Sequence, residues 1–523
     1  MTRLAAAQAQ IFDVAIIGGG IVGCGVARDA ARRGLRVVLF EQRDFGSGTT
    51  AASTRIVHGG LRYLETADVR LVRMDLRERE TLLRIAPHLV RPSEFIVPFH
   101  DVGAWQRLRL RVGLALYDAL AFGSSLPRHR ASRSQAVYYD ARLDSPERLC
   151  IENLTDAAAH GALAFNYAEV TRAVHDGPAV VGVRVRDSLT GDEAEVRARI
   201  TINAAGPWFE RVARMVTARP RGRVRTTKGI HLVCPPLTEH ALVLFSQLDG
   251  RLMFAIPRQG LTWLGTTDTD YRGDPAEARA TLEDVEYVID SLRGAFPTLT
   301  LDEVLFTTVG VRALVMQGGR TSSVSRMHKV TDEAAGRVPG LVSITGGKIT
   351  GYRAIAEEAT DVVARRLGNR QRCTTATEPL PGGRGGRHTG ASSHLYDLYG
   401  SRASEVEQLA VAHPELAQPL SPAYPDLAAQ VVFAVRHEHC MTLSDFLRRR
   451  SLLGATVDQG WGAAPAVTAV MGGELGWSPE RQTKEIDAYA RDIERTLAFR
   501  THGHGPRRGD RDAGVAGVGR LDA

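Results

Sequence analysis

A strand, a glycine turn, a helix and a second strand follow one another in FDVAIIGGGIVGCGVARDAARRGLRVVLFEQ, residues 12–42. No other stretch restricts the fold so strongly. An apolar strand over Val14–Ile17 runs into Gly18, Gly20 and Gly23 in G-x-G-x-x-G spacing. An alanine-rich helix follows, and a second strand over Arg36–Phe40 ends on Glu41. Gly18 serves the tight turn, Gly20 lets backbone approach a pyrophosphate, and Gly23 permits close helix–strand packing. The helix N-terminus then faces phosphate, and Glu41 accepts from ribose hydroxyls. The chain is therefore α/β, with a Rossmann-like dinucleotide site. A second glycine-rich βαβ unit for a separate nicotinamide is missing, because GGRGGRHTG (382–390) and GVAGVG (514–519) lack flanking strands. One dinucleotide site at the N-terminal end favours bound FAD, with electrons entering from a substrate and leaving elsewhere. The strand in TINAAGPW (201–208) ends in Ala205 and Gly206, small enough for close backbone packing near that cofactor.

With 523 residues the chain holds two or three domains. No apolar run reaches the roughly 18–20 residues of a membrane-spanning helix, and MTRLAAAQAQ has no signal-peptide pattern. Cys24, Cys150, Cys234, Cys373 and Cys440 are odd in number and far apart, which speaks for a reducing cytoplasm and against disulfides or a metal site. The net charge of +7 raises nucleic acid as a partner. Arginines scattered among acids, with no nucleic-acid motif, exclude it. Only four lysines occur, Lys228, Lys329, Lys348 and Lys484, so each surviving ammonium carries information.

Along the chain, 66–90 has helical spacing, 165–270 reads as a mixed-sheet region, and 341–367 as strand, glycine turn and long helix. The expected organisation is a cofactor- and substrate-binding region over 12–375 made of two interleaved subdomains. A linker over 376–393, a helical C-terminal domain over 394–500 and a disordered tail over 501–523 follow.

EQRDFGSGTTAASTRIVHGGLRYLE, TINAAGPW, TTKGIHLV, GTTDTDY, GVRAL and TGGKITGYR occur in an order and at spacings that resemble FAD-dependent glycerol-3-phosphate dehydrogenase. This is the quinone-linked, aerobic-type family within the D-amino-acid-oxidase-like flavoproteins. The resemblance covers about 12–365, and HEHCMTLSDFLRRR (437–450) is similar to the family's C-terminal domain. It implies an FAD-binding domain with a mixed-sheet substrate domain and a small helical C-terminal domain. It also implies oxidation of sn-glycerol 3-phosphate to dihydroxyacetone phosphate by hydride transfer to flavin N5, with electrons passed to a membrane quinone.

Such a substrate needs cations for its phosphate and a base for its hydroxyl. Arg62 and Tyr63, behind two glycines, Arg312 at the end of an apolar strand and Arg326 in a polar loop form the expected clamp. Lys348, after Gly347 and before a helix, is expected to stabilise negative charge on the reduced flavin or the substrate oxygen. His231 is the preferred general base. His58 is the alternative, either as base or set against the flavin. Thr49, Ser53 and Thr54 are expected to bond FAD phosphates or ring edges, and Lys228 to be structural. No acidic loop pattern suggests calcium or another metal.

A quinone acceptor requires contact with a membrane. In GAWQRLRLRVGLALYDALAFG (103–123), Trp105, Leu108, Val112, Leu116 and Ala119 share one helical face, with Arg107, Arg111 and Asp118 opposite. That pattern fits either an interfacial helix or one packed on the protein's own core, and the resemblance implies the former, a cytoplasmic protein attached peripherally to the inner face of the membrane through 103–123. A glycerophosphate oxidase using oxygen, or an amine or amino-acid oxidase of the same fold, stays open as an alternative, and a homodimer is compatible with every reading.

Overall fold

The computed structural model describes residues 2–64, 68–99, 103–217, 223–316, 327–386 and 392–501. Its first sheet runs, in spatial order, Leu163–Phe165, Val37–Phe40, Phe12–Ile17, Glu193–Asn203 and Leu341–Thr345, all parallel, with Lys329–Asp332 antiparallel at the edge. These strands are nearly continuous runs of Val, Ile, Leu and Phe, as burial on both faces demands. Helices Ile21–Arg32, Pro146–Ala159 and Tyr352–Leu367 pack on one face. The strand Glu193–Asn203 does double duty. Its first half pairs antiparallel with Ala179–Asp187, and from Ala198 onward it pairs parallel with Phe12–Ile17.

The second sheet is mostly antiparallel. Its order is Phe306–Val315, Val224–Cys234, Leu261–Gly265, Leu252–Arg258, Ala241–Phe245, Val90–Pro98 and Gln135–Leu143, closing on Ile56–Val57. Ile230, Leu232 and Cys234 point to one side and meet Val285, Val288, Ile289 and Leu292 of the helix Leu282–Leu292. Burial of each of those four helix side chains is worth roughly 1.5–3 kcal/mol. A capping box, Thr281 with Asp284, starts that helix, and Lys228 bonds Asp284 at 2.5 Å.

The expected helix at 66–90 spans Val69–Ile85. Asp68 caps it by accepting from the Leu71 amide, and it stops before Pro87. The strand–turn–helix at 341–367 becomes Leu341–Thr345 and Tyr352–Leu367. In the stretch read as a linker, Leu380 is buried and the Gly382 amide donates to Glu152 at 2.7 Å, so it begins as packed chain. Residues 387–391 and the tail beyond 501 lie outside the described residues.

The C-terminal part is helical, with Ala403–Ala412, Ala428–His437, Ala464–Leu475 and Pro479–Thr496 and one short hairpin. Buried charge ties it to the nucleotide sheet. Arg450 binds both oxygens of Asp44 at 2.8 Å, Arg449 adds a third bond at 2.5 Å, and Arg148 grips Glu438 at 2.7 and 2.8 Å. Against the desolvation that burial imposes, the two guanidiniums hold the Asp44 carboxyl down at about 2.

Breaking a buried pair costs about 3–5 kcal/mol because the partner charge stays behind. Arg450→Met is expected to lower the thermal midpoint by several degrees and to loosen FAD. Calorimetry and fluorescence of released flavin check this, and an unchanged midpoint would mean that the clamp contributes nothing.

Candidate active site

The two sheets enclose a cavity of about 400 Å³. At one end lies the dinucleotide turn. Gly18 has φ +109°, and a Cβ there would lie 2.7 Å from the Ala204 carbonyl oxygen. One on Gly23 would lie 1.9 Å from the Gly18 oxygen. A Cβ on Gly20 meets only the Thr50 hydroxyl, at 3.6 Å, so this position faces open cavity. Glu41, at the end of Val37–Phe40, accepts from the Gly19 and Arg43 amides at 2.7 and 2.9 Å and lines the same space. The Ile21 amide, first in its helix, donates to Thr50 Oγ1 at 3.1 Å.

The loop 47–54 runs along the cavity and is braced by the strand Phe306–Val315. Thr49 donates to the Val311 carbonyl at 2.6 Å, and a Cβ on Gly310 would meet Ala52 at 2.6 Å. Ser53 Oγ is buried and has no partner among the described residues. Thr54 contacts His231 Nε2 at 3.1 Å. Ala205, Gly206 and Trp208 also line the cavity.

At the other end His58, Arg62, Tyr63, Arg312, Gly347 and Lys348 all line the cavity. Arg312 donates to the Thr267 carbonyl at 3.0 Å, to Thr266 Oγ1 at 2.9 Å and to Asp268 at 3.3 Å. Its guanidinium lies across Gly229, where a Cβ would come within 2.2–2.5 Å of it. Gly346 and Gly347 have φ of +72° and +102°, a conformation that reserves both positions for glycine and sets Lys348 on the wall. The Lys348 ammonium bonds Asp75 and sits 4.1 Å from the centre of the Tyr63 ring.

His58 and His231 part company here. His58 is on the cavity wall, its ring 6.2 Å from that of Tyr63. Burial, reinforced by the charges of Lys348, Arg62 and Arg79, pushes its imidazole down to about 3. His231 is 2% exposed and stands behind Thr54, outside the cavity lining, with Thr308 Oγ1 3.4 Å from its other nitrogen. Burial first, then Arg312 and Arg55, push it down to about 3 as well. Both rings are neutral near pH 7. Arg326 lies outside the described residues.

Three groups escape the sequence reading. Asp75 sits on the inward face of Val69–Ile85 with Val72, Arg79 and Leu82. Asp140 accepts from the Gly59 amide at 3.1 Å, from Arg79 at 2.8 Å and from Tyr117 at 2.7 Å. Asp268 backs Arg312. The signal for Asp75 is present in the sequence, since a carboxylate at an apolar position of a helical repeat has to have a buried partner.

The donor set fits FAD. The amides of a helix start, a carboxylate beside them, an orphan hydroxyl midway along and a cationic far end match a pyrophosphate, a ribose and an electron-accepting ring. Outside the cavity, the helix Ala104–Leu120 exposes Trp105 (71%), Leu108, Val112 and Leu116, with Phe122 beyond it, while Leu114 and Tyr117 are buried. Arg107, Arg111 and Asp118 on the other side are taken up by Phe99, Ser132 and His129. No helix among the described residues is long and apolar enough to cross a membrane.

Residues 13–361 match the FAD dependent oxidoreductase family, and 373–482 match the C-terminal domain of alpha-glycerophosphate oxidase. The glycerol-3-phosphate dehydrogenase of a Synechocystis species is 36% identical, covering 92% of this chain and 96% of that protein. The structure of the Bacillus halodurans glycerol-3-phosphate dehydrogenase complexed with FAD is 30% identical, with a TM-score of 0.73 over 95% of this chain and 97% of that one. The reduced L-alpha-glycerophosphate oxidase of Mycoplasma pneumoniae, at 16% identity, TM-score 0.51 and coverage of 71% and 99%, shares the fold alone. A dinucleotide turn, a mixed second sheet and a helical C-terminal part thus come with FAD as cofactor, and the chain belongs to the FAD-dependent glycerol-3-phosphate dehydrogenase family.

Proposed function

We propose that this protein oxidises sn-glycerol 3-phosphate to dihydroxyacetone phosphate and passes the electrons to a membrane quinone. One observation carries the reading: Arg62, Arg312 and Lys348 converge with the neutral imidazole of His58 on a single cavity fitted for FAD. Relatives named glycerol-3-phosphate dehydrogenase support it. The bound flavin supplies the acceptor for the C2 hydride. Arg312 and Arg62 bind the phosphate, and Asp268 with the Thr266–Thr267 corner holds Arg312 in place. His58 takes the C2 hydroxyl proton, because it lines the cavity whereas His231 stands behind Thr54. Lys348 stabilises the negative charge that develops next to it. The exposed stripe of Ala104–Leu120 rests in the lipid interface on the cytoplasmic side, where a quinone is within reach.

Anaerobic addition of sn-glycerol 3-phosphate should bleach the flavin band, and glycerol or amino acids should not. A band that persists would overturn the substrate. Peroxide formed in stoichiometric yield under air would assign the acceptor to oxygen instead, in line with the glycerophosphate oxidase match of the C-terminal part.

The neutral histidines bring a pH signature. A folded value near 3 against 6.5 unfolded means that the unfolded chain binds more protons between those limits. The stabilisation is complete above about pH 6.5 and is lost as pH falls toward 3. Glutamine at either position therefore flattens the fall of the thermal midpoint between pH 6.5 and 4. Only His58→Gln is expected to cost about 10²–10⁴ in kcat; an equal loss in His231→Gln would return the base to that residue. Gly229→Ala displaces Arg312 and should cost about tenfold to a hundredfold in kcat/KM with the thermal midpoint nearly unchanged, as steady-state kinetics will show. Replacing Trp105, Leu108, Val112 and Leu116 by Ser is expected to abolish co-sedimentation with anionic vesicles and leave dye-linked turnover intact.

A further inference from the structure

Asp75 has no place in the mechanism above, yet it is the partner of a cation that does. It is completely buried. One carboxylate oxygen takes the Lys348 ammonium, and the other has no partner among the described residues. Two glycines lie beside it. Gly60, with φ +81°, would bring a Cβ 3.1 Å from Asp75 Oδ2, and Gly351 would bring one 3.9 Å from Oδ1. The Tyr63 ring closes the corner beneath Lys348.

We propose that Asp75 is a positioning residue that fixes Lys348 on the Tyr63 face and, by its charge, sets the reduction potential of the flavin in the cavity. With Asp75 ionised, the corner it forms with Lys348 is neutral. With Asp75 protonated, the same corner carries one positive charge. Reduction puts negative charge on the flavin, so the charged corner favours the reduced form. The inference rests on bound FAD and on Lys348 lining the cavity, and holds whichever substrate and acceptor the enzyme uses.

Burial pushes the Asp75 carboxyl up to about 7, opposed by Lys348 and assisted by Asp140 and Glu78. The other charged or titratable groups around this corner are His58 and Arg62 on the loop and the turn after it, Arg79 on the same helix, and Arg353, which is committed to Glu78 at 2.6 and 2.8 Å. Of these, His58 stays neutral to about 3, while burial raises the Asp140 and Glu78 carboxyls as it does that of Asp75, and the Asp75→Asn comparison isolates the Asp75 charge.

The test is the midpoint potential of the holoenzyme, read by dye equilibration from pH 5.5 to 8.5, without substrate. Asp75→Asn mimics the protonated state. At pH 8.5 it should favour reduced flavin by at least about tenfold, equivalent to about 30 mV for two electrons. The difference from the parent should vanish by pH 5.5, where the parent is protonated too. Protonation of the flavin itself is common to both proteins and drops out of the comparison. A difference that is absent, or that stays constant with pH, overturns the proposal. The double variant Asp75→Asn/Lys348→Met has a neutral corner and no stranded charge, so it remains informative if the single variant loses FAD. Its potential at pH 8.5 should match the parent within about threefold in the reduction equilibrium, and a larger departure sinks the charge argument. Failure to be reduced by sn-glycerol 3-phosphate would leave both results standing, which separates this inference from the substrate assignment.

Discussion

Everything in this molecule is built on the approach of one helix to one strand. Gly23 leaves no room for even a methyl group against the Gly18 carbonyl, and Gly18 itself passes beside the backbone of Ala204. Those contacts bring the amides at the start of Ile21–Arg32 to the cavity wall and put Glu41, at the end of the next strand, next to them. The second sheet, with Arg312 and the loop carrying His58, is useful only because this turn decides where an extended cofactor starts. From that fixed end, the far end of the cofactor has to reach the corner where the cations stand.

The second organising force is buried charge, and this chain pays for a good deal of it. Arg28 with Asp156, Arg148 with Glu438, Arg353 with Glu78 and Arg450 with Asp44 are all withdrawn from water. Such pairs add little net stability but are expensive to break, so they hold one arrangement against alternatives. Arginine suits the task, since its planar fork satisfies both carboxylate oxygens at once. Part of the arginine in this net-positive chain is thus placed inside, on fixed carboxylate partners. The two lysines within motifs do different work, Lys228 as a brace for Asp284 and Lys348 as a cavity cation.

Local features were the most legible. The glycines of the turn, Gly346 and Gly347, and the flanking strands state their geometry within a few residues, so the nucleotide site could be read directly. The apolar stripe on Ala104–Leu120 was legible too, whereas its orientation was not, because periodicity gives a face without saying what covers it. What escaped the sequence depends on pairing across the sheets. Arg312 lies over Gly229 because the register sets Thr227 opposite Arg312, placing Gly229 diagonally beside it on the same face. His231 belongs to a strand buried on both sides, where alternation cannot say which side meets the cavity. The helical repeat marks Asp75 as an inward carboxylate but not its partner, because Lys348 lies 273 positions away.

The clamp on Asp44 also has a meaning in time. Its partners Arg449 and Arg450 come 405 and 406 residues later in the chain. At about 5–20 residues per second, a ribosome needs roughly 20–80 s to cover that gap. Throughout that interval the nascent nucleotide segment carries a carboxylate whose two guanidiniums do not yet exist. The loop that follows Glu41 is therefore clamped only after the segment carrying Arg449 and Arg450 has been made.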